Sequence, residues 1–502
     1  MKKNVIYLML VATLTLCFSC EEDFLDPIRN TNVLTDVGIT EAAGLNPEII
    51  EGNLTGISGF MILPGGTTSI TSPRHYDIGQ KGVDIWTDIV CGDTSLSASA
   101  FGWYNNTSNL LTTIDFTREE NSIVWDYYFR IISVANSVIQ TSGGNNPDPS
   151  LDPNTLRVNG QAKAYRAYAY FYLAQLFQTA YDPAEPILPL YAIDEVNSAK
   201  VEASMIYDLI VSDLLFAIDN LSGYTRQAIS EIDQSVARGL LAYTYAAMGN
   251  YADAKTQADA VISSGFPLAT AGALAFPGAG SGFNDANSAP NWIWGFDITA
   301  DLGHQLINWW GQMDYFTYSY AWAGDTKSID DLLFSQIPAG DIRGTQFGTG
   351  AQALQPINKF FDPGRTPGGQ FAITTDYIFM RVEEFYLLSA EAAARTGDEA
   401  GAKARLQDLL AIRLGSSGAA SAYLAPLSGS GLINEIYFQT RVEMWGEGKS
   451  YLAMKRNQAT VTRGTNHVFR AGESFTYDSD EMSFQIPESE IINNPNISSQ
   501  NN

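Results

Sequence analysis

The stretch Ser235–Phe266, SVARGLLAYTYAAMGNYADAKTQADAVISSGF, constrains the fold more than any other. Leu240, Leu241, Tyr243, Ala247 and Met248 recur at three- and four-residue steps, and Ala254, Ala258, Val261 and Ile262 repeat the pattern. Each run therefore reads as a helix with one apolar stripe. Gly249-Asn250 lies between them, where a helix C-terminus wants a residue tolerant of positive φ. Tyr251 is placed to fill the groove, and the small Ala254 and Ala258 allow close approach. Such a pair cannot bury its stripe alone, so more helices must stack beside it. The expected scaffold is helical, and function lies on what that scaffold holds.

Helical periodicity recurs elsewhere. Val124, Tyr128, Ile131, Ala135 and Val138 form a stripe that GGNNPDP ends. Residues 160–178 carry Tyr165, Ala169, Tyr172 and Leu176 on one face, and 204–221 form a third helix. Residues 376–397 read as a helix ending at Gly397, and Glu399–Leu414 as its partner, with Ala402, Leu406, Leu409 and Leu410. Both pairs resemble the tetratricopeptide (TPR) helix pair. The fold class expected is mainly α: a TPR-like helical-pair scaffold over about 123–270 and 376–460, with long loop-rich insertions and minor β.

Charge narrows the partners. The formal net charge is −26, which repels phosphate backbones and excludes a nucleic acid partner. Only 17% of residues are charged, a balance that suits an extracytoplasmic surface. His75, His304 and His467 stand far apart and offer no metal-ligand spacing; no metal and no cofactor are expected. Gly-x-Ser-x-Gly, His-Glu-x-x-His and P-loop patterns do not occur.

Two regions break the helical pattern. From 51 to 122, Gly52, Gly56, Gly59 and Gly65-Gly66 interrupt it, Gly79–Val90 opens a short helix, and a polar stretch follows that holds Phe101, Trp103 and Tyr104. Asn105-Asn106 beside these rings offers flat apolar faces next to amide donors and acceptors. Arg74 sits in a loop with His75 and Tyr76. From 271 to 375 periodicity stops for longer than a connection needs. Asn291–Phe296 alternates like a core strand. In Trp309–Trp322 seven of fourteen residues are aromatic and Asp314 is the one charge. Phe316, Tyr318, Tyr320 and Trp322 share one face if the segment is extended, whereas Trp309, Trp310 and Tyr315 fall outside that register. Exposed rings of this kind stack on sugar faces, with Tyr hydroxyls, Asn308 and Gln312 available to sugar hydroxyls. The candidate ligand-binding residues are Trp309, Trp310, Tyr315, Tyr318, Trp322, Trp103, Tyr104, Asn105 and Arg74.

Met1-Lys2-Lys3 and the apolar run Val5–Phe18 form a secretory signal, residues 1–19, too short to span a membrane. Ser19-Cys20, with Leu16 upstream, resembles the lipobox of bacterial lipoproteins, in which the cysteine is acylated. Acylation of Cys20 would leave Cys91 as the one thiol of the mature chain, so that no intramolecular disulfide can form. Residues 20–50 read as a lipidated N-terminus and tether, and 51–502 as one domain.

Several blocks then occur in order: Ala135-Asn136 with Ile139; Arg166-Ala167-Tyr168 with Tyr170-Phe171; Asp213-Leu214 with Ala217; Gly249-Asn250-Tyr251. They continue with Arg381, Glu384, Leu387 and Ala390-Glu391-Ala392, then Arg441, Glu443, Glu447-Gly448 and Arg456, and close on Ile486-Pro487 with Asn494-Pro495. Together they resemble the SusD/RagB family of outer-membrane nutrient-binding lipoproteins of Bacteroidetes, and the acidic run Glu21-Glu22-Asp23 resembles the surface-export signal of such lipoproteins. Gln178 stands where the family usually turns on glycine. The resemblance implies a SusD-like α-α superhelix, anchored by lipid to the outer membrane and facing outward. It implies a non-catalytic protein that captures oligosaccharide or polysaccharide and passes it to a SusC-like TonB-dependent transporter. Peptide uptake of the RagB type and a surface glycoside hydrolase, which would need paired carboxylates across a cleft, are the alternatives. Arg381 with Glu384, and Glu443 with Glu447 neutralised by Arg441 or Arg456, are expected to be buried structural pairs.

Overall fold

The structure, a computed structural model, describes residues 48–65, 74–191, 193, 198–278 and 282–501. The signal segment, Cys20 and the tether as far as residue 47 lie outside these. Of two compact units, Met1–Ile49 and Ile50–Asn502, the second carries every element below apart from the first two residues of the first helix.

Helix α1 (Glu48–Phe60) runs straight through the glycines expected to break it. Gly52, Gly56 and Gly59 fall on one side, where a Cβ added at Gly52 or Gly56 would meet nothing within 4 Å. The other side buries Leu54 and Ile57, which outweighs a propensity loss of about 1 kcal/mol per glycine. Helix α2 (Gln80–Val90) is buried along its whole length, and strand β1 (Thr94–Leu96) follows. Helix α3 spans Glu119–Thr141 and α4 Pro153–Phe177. The Asp152 carboxylate caps α4 by accepting the Asn154 and Thr155 N–H groups, and Pro153 sits in the first turn; the helix therefore starts well before its apolar repeat. At its far end Gln178 leaves in extended conformation and needs no positive φ.

Strands β2 (Pro186–Pro189) and β3 (Lys200–Glu202) precede α5 (Ala203–Asn220), α6 (Gln234–Ala247) and α7 (Tyr251–Ile262). The last two are the expected pair, turning on Gly249 at φ 78°. The interruption holds β4 (Trp292–Phe296), two single helical turns, α8 (Trp310–Met313) and α9 (Tyr320–Ala323), and β5 (Lys327–Ile329). Residues 377–381, expected to be helical, instead form β6 (Tyr377–Arg381), antiparallel to the expected core strand β4. The aromatic and β-branched YIFM run favours a strand. The helix begins afterwards as α10 (Val382–Arg395), whose start is fixed by the Glu384 carboxylate accepting the Arg381 backbone N–H at 2.9 Å. Then come α11 (Glu399–Arg413), α12 (Gly429–Glu443) and α13 (Ser450–Arg456).

Helices α3 to α7 pack each on the next, and α7 packs on α10, which meets α11 and α12. The two TPR-like pairs thus stack directly although the aromatic insertion lies between them in sequence. The fold is mainly α.

The insertion is clamped to the second helical half by buried charge. Arg343 reaches Asp341 at 2.6 Å and Glu443 at 3.2 Å; Arg381 reaches Glu443 and Glu447 at 2.8 Å; Lys359 reaches Glu447 at 2.8 Å; Arg413 meets Glu443 at 2.5 Å. The neutralisers expected from sequence differ. Arg441 pairs with Asp93 and Arg456 with Glu391; Arg441 stands two residues before Glu443 on α12 and so projects from the opposite face of that helix. Burial pushes the Glu447 carboxyl up, but Arg381 and Lys359 outweigh it and hold the group at about 2. Burial likewise pushes the Glu443 carboxyl up, and Arg413 and Arg381 outweigh it and hold the group well below the usual carboxylate range. Both carboxylates titrate lower in the fold than in the unfolded chain, so their stabilisation is full above about 4.5 and is lost as pH falls through about 2. Thermal melts are expected to show the midpoint dropping steeply between pH 4.5 and 2, a flat limb there being the contrary result.

Candidate functional site

The aromatic run at 309–322 is not a strand. Asp314 breaks it: its carboxylate accepts the Phe316 N–H at 3.0 Å, the Thr317 hydroxyl at 2.8 Å and the Asp362 N–H at 3.1 Å. Burial raises this carboxyl to about 7 against those hydrogen bonds. The turn it makes splits the segment into an inner and an outer layer. Asn308 begins the inner one by accepting the Gly311 N–H at 2.7 Å, and α8 then points Trp309 and Trp310 inward. They are 1% and 0% exposed. Trp309 lies edge-on to Phe360 at 4.9 Å, and the Trp310 indole N–H donates to the Thr375 carbonyl at 2.8 Å. Neither ring presents a face to a ligand, and Asn308 and Gln312 are equally buried; the expectation for these four is corrected. Trp310→Ala is accordingly expected to destabilise the fold by about 3–5 kcal/mol, read as a lowered melting temperature.

The outer layer is different. Tyr318 is 42% and Trp322 38% exposed, and they meet Phe371, 63% exposed, which the sequence reading did not single out. Tyr318 stacks on Phe371 with centroids 4.6 Å apart and planes at 25°, and lies 5.5 Å from Trp322. Phe371 is delivered by a parallel bridge between Thr317 and Gln370, in which the Tyr318 N–H donates to the Gln370 carbonyl at 2.9 Å. Gly368, at φ 60°, lets the backbone lie flat on Trp322: a Cβ there would stand 2.6 Å from the indole.

The other end of α9 joins a second set. Half-buried Tyr320 lies edge-on to Phe101 at 5.0 Å, to Trp103 at 5.6 Å and to His75 at 4.4 Å. Phe101 is 59% exposed and Trp103 half-buried. The two sets are linked through α9, which carries Tyr320 of one and Trp322 of the other, and are together termed the aromatic rim. Tyr104 is not part of its surface. With φ 67° it turns inward, 2% exposed, under the Lys327 ammonium 4.4 Å above its ring. Asn105 accepts from the Ser99 hydroxyl at 2.6 Å and so holds the loop. Arg74 is half-exposed and paired with Glu119. Tyr315 is half-buried, edge-on to Phe316 at 5.7 Å. Burial lowers Lys327 to about 7 and, with Lys327 beside it, His75 to about 4. At neutral pH the imidazole against Trp103 is uncharged, and the rim offers ring faces and no free charge among the rings that build it.

Two family models match the chain. One, described as the SusD family, covers residues 347–502; the other, described as starch-binding associating with outer membrane, covers 76–245. SusD-type models thus match two separate stretches of the chain, one on either side of the aromatic run at 309–322. Solved structures of SusD-superfamily proteins share its fold. A SusD-like carbohydrate binding protein from Bacteroides vulgatus is 23% identical with a TM-score of 0.73, over 89% of this chain and 96% of that one. A SusD superfamily protein from Bacteroides fragilis is 24% identical with a TM-score of 0.68, over 90% and 99%. A surface glycan-binding protein A from Bacteroides fluxus is 15% identical with a TM-score of 0.65, over 90% and 97%. No curated protein matches the chain. The first SusD-family model takes in Phe371 and the second takes in Phe101 and Trp103, so the rim draws on both matched regions as well as on the insertion between them. Phe371 was detectable in principle as a lone aromatic in the polar, glycine-rich stretch 364–375.

Proposed function

We propose that this chain is a SusD-family protein and captures oligosaccharide on the rim formed by Phe101, Trp103, Tyr320, Tyr318, Trp322 and Phe371. It does so without catalysis and passes the ligand to a SusC-like TonB-dependent transporter, while acylated Cys20 anchors it on the outer face of the outer membrane. The observation that carries this reading is the exposed stacked pair Tyr318–Phe371 beside Trp322. Large rings left in water beside hydroxyls and backbone amides match the apolar face and polar edge of a sugar. The family description as starch-binding and outer-membrane associating supports it, as do the carbohydrate- and glycan-binding names of two proteins of the same fold.

Affinity electrophoresis in gels cast with soluble starch and other neutral polysaccharides, run against a peptide panel, tests the capture. Retardation by a polysaccharide with no released sugar supports it. Binding to peptides alone, or turnover of the glycan, would replace it. Mass analysis of the mature N-terminus tests acylation of Cys20, and co-purification from outer membranes tests the transporter.

A further inference from the structure

We infer that Asp325 is the positioning residue that joins the two halves of the aromatic rim; the inference rests on the rim being the binding surface. Asp325 is wholly buried. One carboxylate oxygen accepts the Phe101 N–H at 2.8 Å and the other the Trp103 N–H at 3.0 Å. The amides are those of residues i and i+2, flanking Gly102 at φ 94°, so one carboxylate sets the direction of both rings. Its own backbone N–H donates to the Tyr320 carbonyl at 2.8 Å, which fixes it to the turn that bears Tyr320 and Trp322.

The need for a carboxylate follows from where the sheet stops. Strands β1 and β5 are extended by bonds from Ser97 N–H to Thr326 O at 2.8 Å, Thr326 N–H to Ala98 O at 3.0 Å and Ala100 N–H to Gly324 O at 3.2 Å. The strands are pressed together there, since a Cβ on Gly324 would lie 2.9 Å from that of Ala100. Past Ala100 no backbone carbonyl is offered to the Phe101 and Trp103 amides, and Asp325 takes both. An ionised carboxylate is acceptor-only and bonds amides more strongly than a neutral group. Lys327 stands behind it, its ammonium donating to the Asp325 main-chain carbonyl and to Gln312 Oε1, each at 3.2 Å. The side chain thus spends its two oxygens on orienting the arm, with neither left for a ligand.

The test uses D325N and D325A in the full chain. Asparagine keeps the volume but turns one acceptor into a donor facing an amide; alanine removes both acceptors. Amide hydrogen exchange, measured without ligand, is expected to speed up by roughly tenfold or more at one of Phe101 and Trp103 in D325N and at both in D325A, with the amides of α6 and α7 unchanged. Soluble-starch affinity is expected to fall in the same order, by roughly tenfold in D325A. In a W103A/F101A background D325A is expected to cause no further loss, because the rings it positions are gone. Unchanged exchange at both amides, or a full additional loss in that background, would overturn the inference. The exchange arm needs no ligand: if it holds while wild-type protein ignores every polysaccharide, the capture reading fails and the positioning role stands.

Discussion

Trp322→Ala is expected to weaken polysaccharide binding by roughly 1–3 kcal/mol, about 5- to 150-fold, by analogy with bases stacked on aromatic side chains. The change in folding stability is expected to stay within about 1 kcal/mol. Trp322 sits on α9 with over a third of its surface in water, and its inner edge rests on the Gly368 backbone. Truncation therefore removes ring area without opening a core cavity. Tyr318→Ala is expected to lose more than Trp322→Ala, because Phe371 is held flat by Tyr318 at 4.6 Å and would lose its support. Electrophoretic retardation compared with the melting temperature separates the cases. If both variants melt far below wild type, the rim is packing and not platform; if both bind undiminished, the ligand lies elsewhere.

The contrast between Trp322 and Trp309 shows where sequence reasoning ran out. Both stand in one aromatic run, and composition marks both equally. What separates them is the Asp314 turn, made by hydrogen bonds to Phe316, Thr317 and the distant Asp362; a period-two pattern cannot anticipate a turn whose third ligand lies far along the chain. The helix pair at Gly249 was legible because its determinants are local: two stripes and one residue of positive φ. Strand β6 was misread for the opposite reason, since its partner β4 lies far back in the sequence, inside the insertion. Phe371 is exposed and adjoins Tyr318 only through the Thr317–Gln370 bridge, and nothing near it in sequence advertises that partner.

The largest stability effect is expected at Glu443. Its carboxylate is met by three guanidinium groups, Arg343, Arg381 and Arg413, within 3.2 Å, and all four side chains are buried. Glu443→Gln keeps the shape and leaves three cations with one fewer counter-charge in a medium that solvates them poorly. Breaking a buried ion pair from one side costs about 3–5 kcal/mol, and here the removed charge serves three partners. An unfolding entropy of about 2.1 cal/mol/K per residue makes this about 1 °C per kcal/mol for a unit of this size, so the melting temperature is expected to fall by roughly 3–5 °C. Arg441 and Arg456, which the sequence placed beside Glu443, pair elsewhere; their removal is expected to leave this network intact. The decisive measurement is the combination of Glu443→Gln with Arg413→Met. If the loss in the first variant is uncompensated charge, deleting one cation restores part of it, and the double variant is more stable than the sum of the singles. Strict additivity would mean that the two side chains act independently. Arg343 belongs to the insertion while Glu443 ends α12, so loosening this cluster is expected to free the inner aromatic layer from the helices, and Glu443→Gln should lower polysaccharide affinity without touching a single ring of the rim.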